Sequence, residues 1–349
     1  MNGKLAIFFA VFAACILLLS GCSWLGGKPN ANTSDGQNQT GPTGPTGPGA
    51  PANWTPYQPP SNETPSGPSI PEIPKPNETV GFDYTYQPLA DLKVCFIDVG
   101  LGDSVLVKKG DFEILVDGGS EVAGPRVSSF LDNQGVDDIE ILALSSLTSD
   151  RVGGLPQVAA HYGIEEFWDN GASYLASDSD YNTLASVLKG KYTKMLHPTR
   201  GYHIYENGMS IDVLNPAADR FNRADNPEAD SLTILIKDRN FSIYLSDLTT
   251  NTQNNLLANN PNVTAKLVKI SQHGGGSTGA EEQVGSFLLI SKLKPEIAVV
   301  SVGPNTRDLP NPSILEAYHV HNVKVYRTDL NGTICITSNG YTYNVTVSK

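Results

Sequence analysis

Phe96-Ile97-Asp98-Val99-Gly100-Leu101-Gly102-Asp103-Ser104 joins two apolar runs across a pair of glycines. Upstream, Lys93 to Val99 reads as a buried strand. Downstream, Ser104–Val107 and Phe112–Val116 read as strands separated by the turn Lys109-Gly110-Asp111. Working outward, the pattern predicts helices over 126–133, 155–162, 178–189, 250–258, 281–292 and 312–320, with Gly163 stopping the second. Strands are expected over 139–144, 210–214, 232–237, 241–245, 265–270, 297–302, 323–326, 333–337 and 341–347. Strand hairpins at both ends, with interspersed helices, predict a layered α/β sandwich.

Composition divides the chain. Of its 24 prolines, 13 lie between residues 23 and 80. Residues 81–349 are left as one large domain, ample for a core. Residues 88–349 carry 21 basic and 31 acidic residues, net −10. That balance disfavours a general nucleic-acid-binding surface, which needs a basic footprint. A hydrophobic content of 39% with 17% charged residues excludes both a polytopic membrane protein and a charge-driven disordered chain.

The N-terminus predicts export. Lys4 precedes an apolar run from Leu5 to Leu19, short for a bilayer span of about 30 Å but suited to a signal sequence. The run ends in Leu19-Ser20-Gly21-Cys22, which resembles the lipobox of prokaryotic lipoproteins. The resemblance implies a signal peptide over 1–21, lipidation of Cys22 and a membrane partner through the lipid. An uncleaved anchor is the alternative. Either way the remainder is expected at the cell surface, on the outer face of the cytoplasmic membrane. Residues 22–80, rich in Pro, Gly, Thr and Asn, read as an extended tether. Asn-x-Ser/Thr acceptors at Asn32, Asn38, Asn53, Asn62, Asn77, Asn240, Asn262, Asn331 and Asn344 suggest glycosylation, although such triplets also arise by chance. Cys95 and Cys335 each sit in a strand-like run; small buried thiols are expected over a disulfide, which requires close Cα atoms.

Six segments share a family resemblance. Phe96 to Ser104, Ile114-Leu115-Val116-Asp117-Gly118-Gly119, Arg151-Val152-Gly153-Gly154-Leu155, Leu245-Ser246-Asp247-Leu248, Val268 to Gly274 and Tyr326 to Ile334 resemble, in order, motifs of the metallo-β-lactamase-like domain of competence ComEC-type proteins. The resemblance covers roughly 91–346 and implies a four-layer αβ/βα sandwich with its site in loops at one edge. It also implies one or two metal ions, zinc or manganese, that activate a water. The family's ligand motif H-x-H-x-D-H falls on Ser146-Leu147-Thr148-Ser149-Asp150-Arg151. Ser146, Thr148 and Arg151 replace three imidazoles. Gln272 replaces the first His of H-H-G, and Leu309 the His of a late His-Pro.

Asp150, Asp247 and His273 remain as metal candidates. Arg151 argues against an ion there, since arginine keeps its charge. The expectation is that no cofactor is held and that Arg151 pairs with Asp150 or Asp247 where a metal stood. The bland alternative makes these two acids helix caps or loop braces. His319 and His321 are expected at a helix end, as is His161. His197 and His203 are stray candidates for the site. Ser145 and Ser146 suggest a serine hydrolase only weakly, without a visible partner. Two functions compete: a catalytically degenerate binding or scaffold lipoprotein of unknown partner, and a metal-dependent phosphodiesterase or nuclease-like enzyme linked to DNA uptake.

Overall fold

The computed structural model describes residues 89–218, 227–260, 262–275 and 280–349. The expected signal peptide, Cys22, the expected tether and its five Asn-x-Ser/Thr triplets lie outside the described residues. Fifteen described strands, numbered in chain order, form two sheets. The first holds β1 (Leu92–Phe96), β2 (Val105–Lys109), β3 (Glu113–Val116), β4 (Asp138–Ala143), β5 (Gly163–Trp168), β6 (Lys194–Leu196), β14 (Ile334–Ser338) and β15 (Tyr343–Val347). Their order is β15-β14-β1-β2-β3-β4-β5-β6, antiparallel up to β3 and parallel from β3 to β6. The second holds β7 (His203–Glu206), β8 (Met209–Asn215), β9 (Thr233–Asp238), β10 (Phe241–Leu245), β11 (Leu267–Lys269), β12 (Ile297–Val300) and β13 (Lys324–Arg327). It runs β13-β12-β11-β10-β9-β8-β7, parallel from β10 to β13. Each sheet thus has an antiparallel half and a parallel half.

Helices cover the outer faces. They are α1 (Gly124–Asn133), α2 (Ser149–Val152), α3 (Leu155–His161), α4 (Ser179–Gly190), α5 (Thr250–Asn259), α6 (Ala280–Leu293), α7 (Pro312–Val320) and α8 (Thr328–Asn331). Three apolar cores fix the layering. Val94, Phe96, Ile114, Ile234, Ile243 and Val299 pack between the sheets. Val127, Leu131, Val158 and Leu188 bury one face of α1, α3 and α4 against the first sheet. Leu256, Leu289, Ile314 and Tyr318 do the same for α5, α6 and α7 on the second. This is the four-layer αβ/βα sandwich that the motifs implied.

Three strands depart from the sequence reading. Gly163 opens β5 rather than merely stopping a helix: α3 ends at His161, and Tyr162 is already extended at φ −99°, ψ 153°. β6 is three residues long, and β7 is a largely exposed edge strand of polar character, so neither gives an apolar pattern.

The cysteines also correct expectation. Antiparallel pairing of β1 with β14 sets Cys95 directly opposite Cys335, with Cα atoms 4.1 Å apart, and the two form a disulfide. A pair of residues separated by 240 positions is brought together by sheet register, which the sequence does not display.

Candidate functional site

The carboxyl ends of the parallel strands from both sheets open at one edge, where ligands bind in open α/β sheets. A cleft of about 850 Å³ lies there. Thr148, Asp150, Arg151, Asp247, Gln272, His273 and Leu309 all line it. Of the positions singled out in sequence, Ser146 sits behind the cleft. It is buried, and its Oγ donates to Asp247 Oδ2 at 3.2 Å.

The backbone that holds these side chains is tightly approached. Gly154 lies so close to the Gly118 carbonyl that a Cβ on it would stand 2.1 Å from that oxygen. Gly118 N–H donates to the Arg151 carbonyl at 2.8 Å, and Gly154 N–H to the Gly119 carbonyl at 3.0 Å. The Asp-Gly-Gly and Gly-Gly-Leu motifs thus form one joint, and that joint aims Asp150 and Arg151 into the cleft.

Arg151 is 3% exposed and carries a fan of ion pairs. One guanidinium nitrogen, Nη2, lies 2.8 Å from Asp247 Oδ2 and 3.1 Å from Asp103 Oδ2. The other, Nη1, lies 2.9 Å from Asp150 Oδ1 and donates to Thr148 Oγ1. Lys269 braces the same acids from β11, with Nζ 3.0 Å from Asp103 Oδ2 and 3.3 Å from Asp247 Oδ1. His273 reaches Asp150 Oδ2 through Nε2 at 2.9 Å and the Ser301 carbonyl through Nδ1 at 2.8 Å. Gln272 contributes its backbone N–H, 2.9 Å from Asp247 Oδ1. Both Gln272 (φ 52°) and His273 (φ 56°) are left-handed, a costly backbone state for such residues.

The electrostatics follow from that packing. Burial raises the Asp247 carboxyl, but Arg151 and Lys269 outweigh it and bring the pKa to about 2. Burial also raises Asp150; the His273 hydrogen bond and Arg151 overcome it and leave the carboxyl far below its ordinary range. Burial lowers Arg151 and Lys269, yet the surrounding acids hold both above their ordinary values. Asp117, fully buried behind the cleft, goes the other way: burial pushes it up to about 7, although Ser145 donates to it from N at 2.8 Å and from Oγ at 2.6 Å.

The donor set does not fit a metal ion. Arg151 and Lys269 place two cations against the oxygens of Asp103 and Asp247 that an ion would need. Both ring nitrogens of His273 are engaged within the protein, Nδ1 with the Ser301 carbonyl and Nε2 with Asp150 Oδ2. Arg151 and Lys269 between them pair with Asp103, Asp150 and Asp247.

Several expectations change. Neither Asp150 nor Asp247 caps a helix: Gly154 precedes α3, Thr249 precedes α5, and neither helix has a side-chain cap. His197 pairs with Asp169 at 2.5 Å and His203 with Asp212 at 2.8 Å, and neither lines the cleft. His161 contacts Asp132 at 3.3 Å. Ser145 is committed to Asp117 and Ser146 to Asp247, and no described histidine hydrogen-bonds either hydroxyl. Sequence reasoning missed Asp103 and Lys269. Both lie inside the quoted motifs, Asp103 beside Ser104 and Lys269 beside Ile270. They were passed over because neither stands at a ligand position of the resemblance.

No family model matches the chain. ComE operon protein 3 of Bacillus subtilis (strain 168) is 25% identical over 265 residues, covering 69% of this chain and 32% of that protein. Competence protein ComA of Neisseria gonorrhoeae is 24% identical over 257 residues, covering 72% of this chain and 33% of its own length. The chain therefore spans about a third of the length of these curated relatives. Among solved structures, the metallo-β-lactamase fold protein YhfI from Bacillus subtilis is similar at a TM-score of 0.47 and 13% identity, covering 71% of this chain and 100% of that one. The ordered motifs, the two sheets and the competence relatives together identify the fold as a ComEC-type metallo-β-lactamase-like domain.

Proposed function

We propose that this chain is a membrane-anchored, extracytoplasmic protein whose metallo-β-lactamase-like domain binds or scaffolds rather than hydrolyses. The observation that carries this reading is the Arg151 guanidinium lodged between Asp103, Asp150 and Asp247. A permanent cation there opposes a divalent ion by direct repulsion, and arginine cannot escape by deprotonating. Lipidation of Cys22 supplies the anchor in this account. The Cys95–Cys335 disulfide supports an oxidising compartment. Exposure of Asn240, Asn262 and Asn344 is compatible with glycans at a cell surface. The competence relatives support a place beside DNA uptake, and the net charge of −10 over residues 88–349 favours a protein or small-molecule ligand over bulk nucleic acid. Among the described residues no helix is long and apolar enough to cross a membrane.

A second reading, a metal-dependent phosphodiester hydrolase, draws on the convergence of Asp150, Asp247 and His273 in one cleft. The test is hydrolysis of a chromogenic phosphodiester by the full chain with zinc, manganese or a chelator. We expect no metal-dependent turnover. Turnover that depends on metal and is abolished by Asp247→Asn would establish the second reading instead.

A further inference from the structure

The second sheet ends on an uncovered edge. Among the described residues it has seven strands against eight in the first, and β7 is its outermost. Tyr205 on β7 is 67% exposed. Leu196, Tyr202 and Ile204 pack against the core between the sheets yet stay partly exposed, so that core is open along this rim. An edge strand presents backbone N–H and C=O groups to any strand that arrives, and folded proteins cover such edges.

The described chain begins beside that edge. Leu89 is half-exposed, and its Cδ1 lies 3.4 Å from where a Cβ on Gly208 would stand, in the turn between β7 and β8. The Ala90 Cβ lies 3.7 Å from the equivalent point on Gly110, in the turn between β2 and β3. The first contact points to the second sheet and the other to the β2 side of β1, away from β15, the free edge of the first sheet on the β14 side. The residues before Leu89 have the pattern of a strand. Gly81 and Pro88 bound Phe82-Asp83-Tyr84-Thr85-Tyr86-Gln87, in which three aromatics alternate with polar residues. Such alternation suits a half-buried strand, and proline ends one. Six extended residues span about 20 Å, enough to follow the four residues of β7 along their whole length.

We propose that residues 82–87 add to β7 as an eighth strand of the second sheet, parallel to it. Leu89 lies at the Glu206 end of β7, so the segment runs toward that end from His203. Setting Tyr84 beside Ile204 turns Phe82, Tyr84 and Tyr86 onto the open rim of the core and places Asp83 beside the His203 imidazole. β7 is antiparallel to β8, and β8 shares the direction of β10, whose end leads to Asp247. The His203 end of β7 is therefore on the cleft edge, and the chain enters the domain there.

The test is hydrogen–deuterium exchange of the full chain in detergent, read by mass spectrometry on fragments covering 82–87 and 203–206. The amides of 83–87 should exchange at least about tenfold more slowly than in a free peptide of that sequence. Tyr84→Pro removes a backbone donor and breaks the strand, and should speed exchange in both fragments by a similar factor. Tyr84→Asp keeps the donor but puts a charge on the apolar rim, and should give a smaller rise in both. Exchange in the first sheet, unchanged in either variant, shows that the domain stays folded. Free-peptide exchange over 83–87 overturns the added strand, as does a β7 fragment unmoved by both variants. Protection that the variants remove from Tyr343–Val347 instead of β7 overturns it as well. So does β7 protection that grows with protein concentration and survives Tyr84→Pro, since a second copy would then cover the edge.

Discussion

Two loops meet across the cleft and depart unequally from the motifs they resemble. The loop after β4 carries Ser146, Thr148 and Arg151 at three positions where the resemblance places imidazoles. The turn after β11 carries Gln272 at one such position and has His273 at the next, both in the left-handed region. The changes are concentrated in the loop that introduces the cation. Asp150 and Asp247 persist in both halves, now as partners of Arg151. On the proposed reading, the contrast teaches that carboxylates without metal ligands beside them still need a partner. Buried acids need a counter-charge, and here the chain supplies it.

The comparison is most exposed to attack at Arg151. Arg151→Met removes the counter-ion of Asp103, Asp150 and Asp247, leaving Lys269 to face buried carboxylates. We expect a loss of about 3–5 kcal/mol in urea unfolding. A neutral outcome would mean that the ion pairs contribute nothing net. Next is the disulfide, which joins the first strand to the C-terminal hairpin. Cys335→Ser should cost about 2–4 kcal/mol, and non-reducing peptide mapping should recover the Cys95–Cys335 link from the wild-type chain. Gly154→Ala tests the joint behind both loops. Its new Cβ meets the Gly118 carbonyl, and a cost of about 2–3 kcal/mol is expected.

A separate test lies in pH dependence. Asp117 stands at about 7 in the folded state against 3.8 as the ordinary value, so its contribution is present below about pH 4 and is lost as pH rises to 7. Asp247, at about 2, acts in the opposite sense: its contribution is present above about pH 4 and is lost as pH falls toward 2. Asp117→Asn should flatten the decline in stability between pH 4 and 7, leaving the part due to Glu140, which burial also raises to about 7. An unchanged profile in that variant would remove Asp117 from the account.

Much of this was legible in the chain. Phe241–Leu245 falls on its predicted bounds, and the four later helices fall within two residues of theirs, because apolar periodicity and flanking turns are local signals. The ordered glycine motifs carried the fold, since each marks a close backbone approach that tolerates little else. The polar edge strand β7 and the three-residue β6 leave no such mark. The site was half legible. Asp150, Asp247, His273 and Arg151 were found through their motif positions, whereas Asp103 and Lys269 acquire meaning only when the two sheets bring them to the same guanidinium. The Cys95–Cys335 pairing depends on register across 240 residues, which no local pattern encodes.

The central claim is that internal cations have taken the place of a metal. The most direct measurement is the content of zinc, manganese and iron per chain, after the full protein is exposed to each ion and desalted, with thermal stability followed in parallel. The account predicts near-zero metal and no shift in melting temperature with any ion. One tightly held ion per chain, lost on substitution of Asp150, Asp247 or His273, would contradict it.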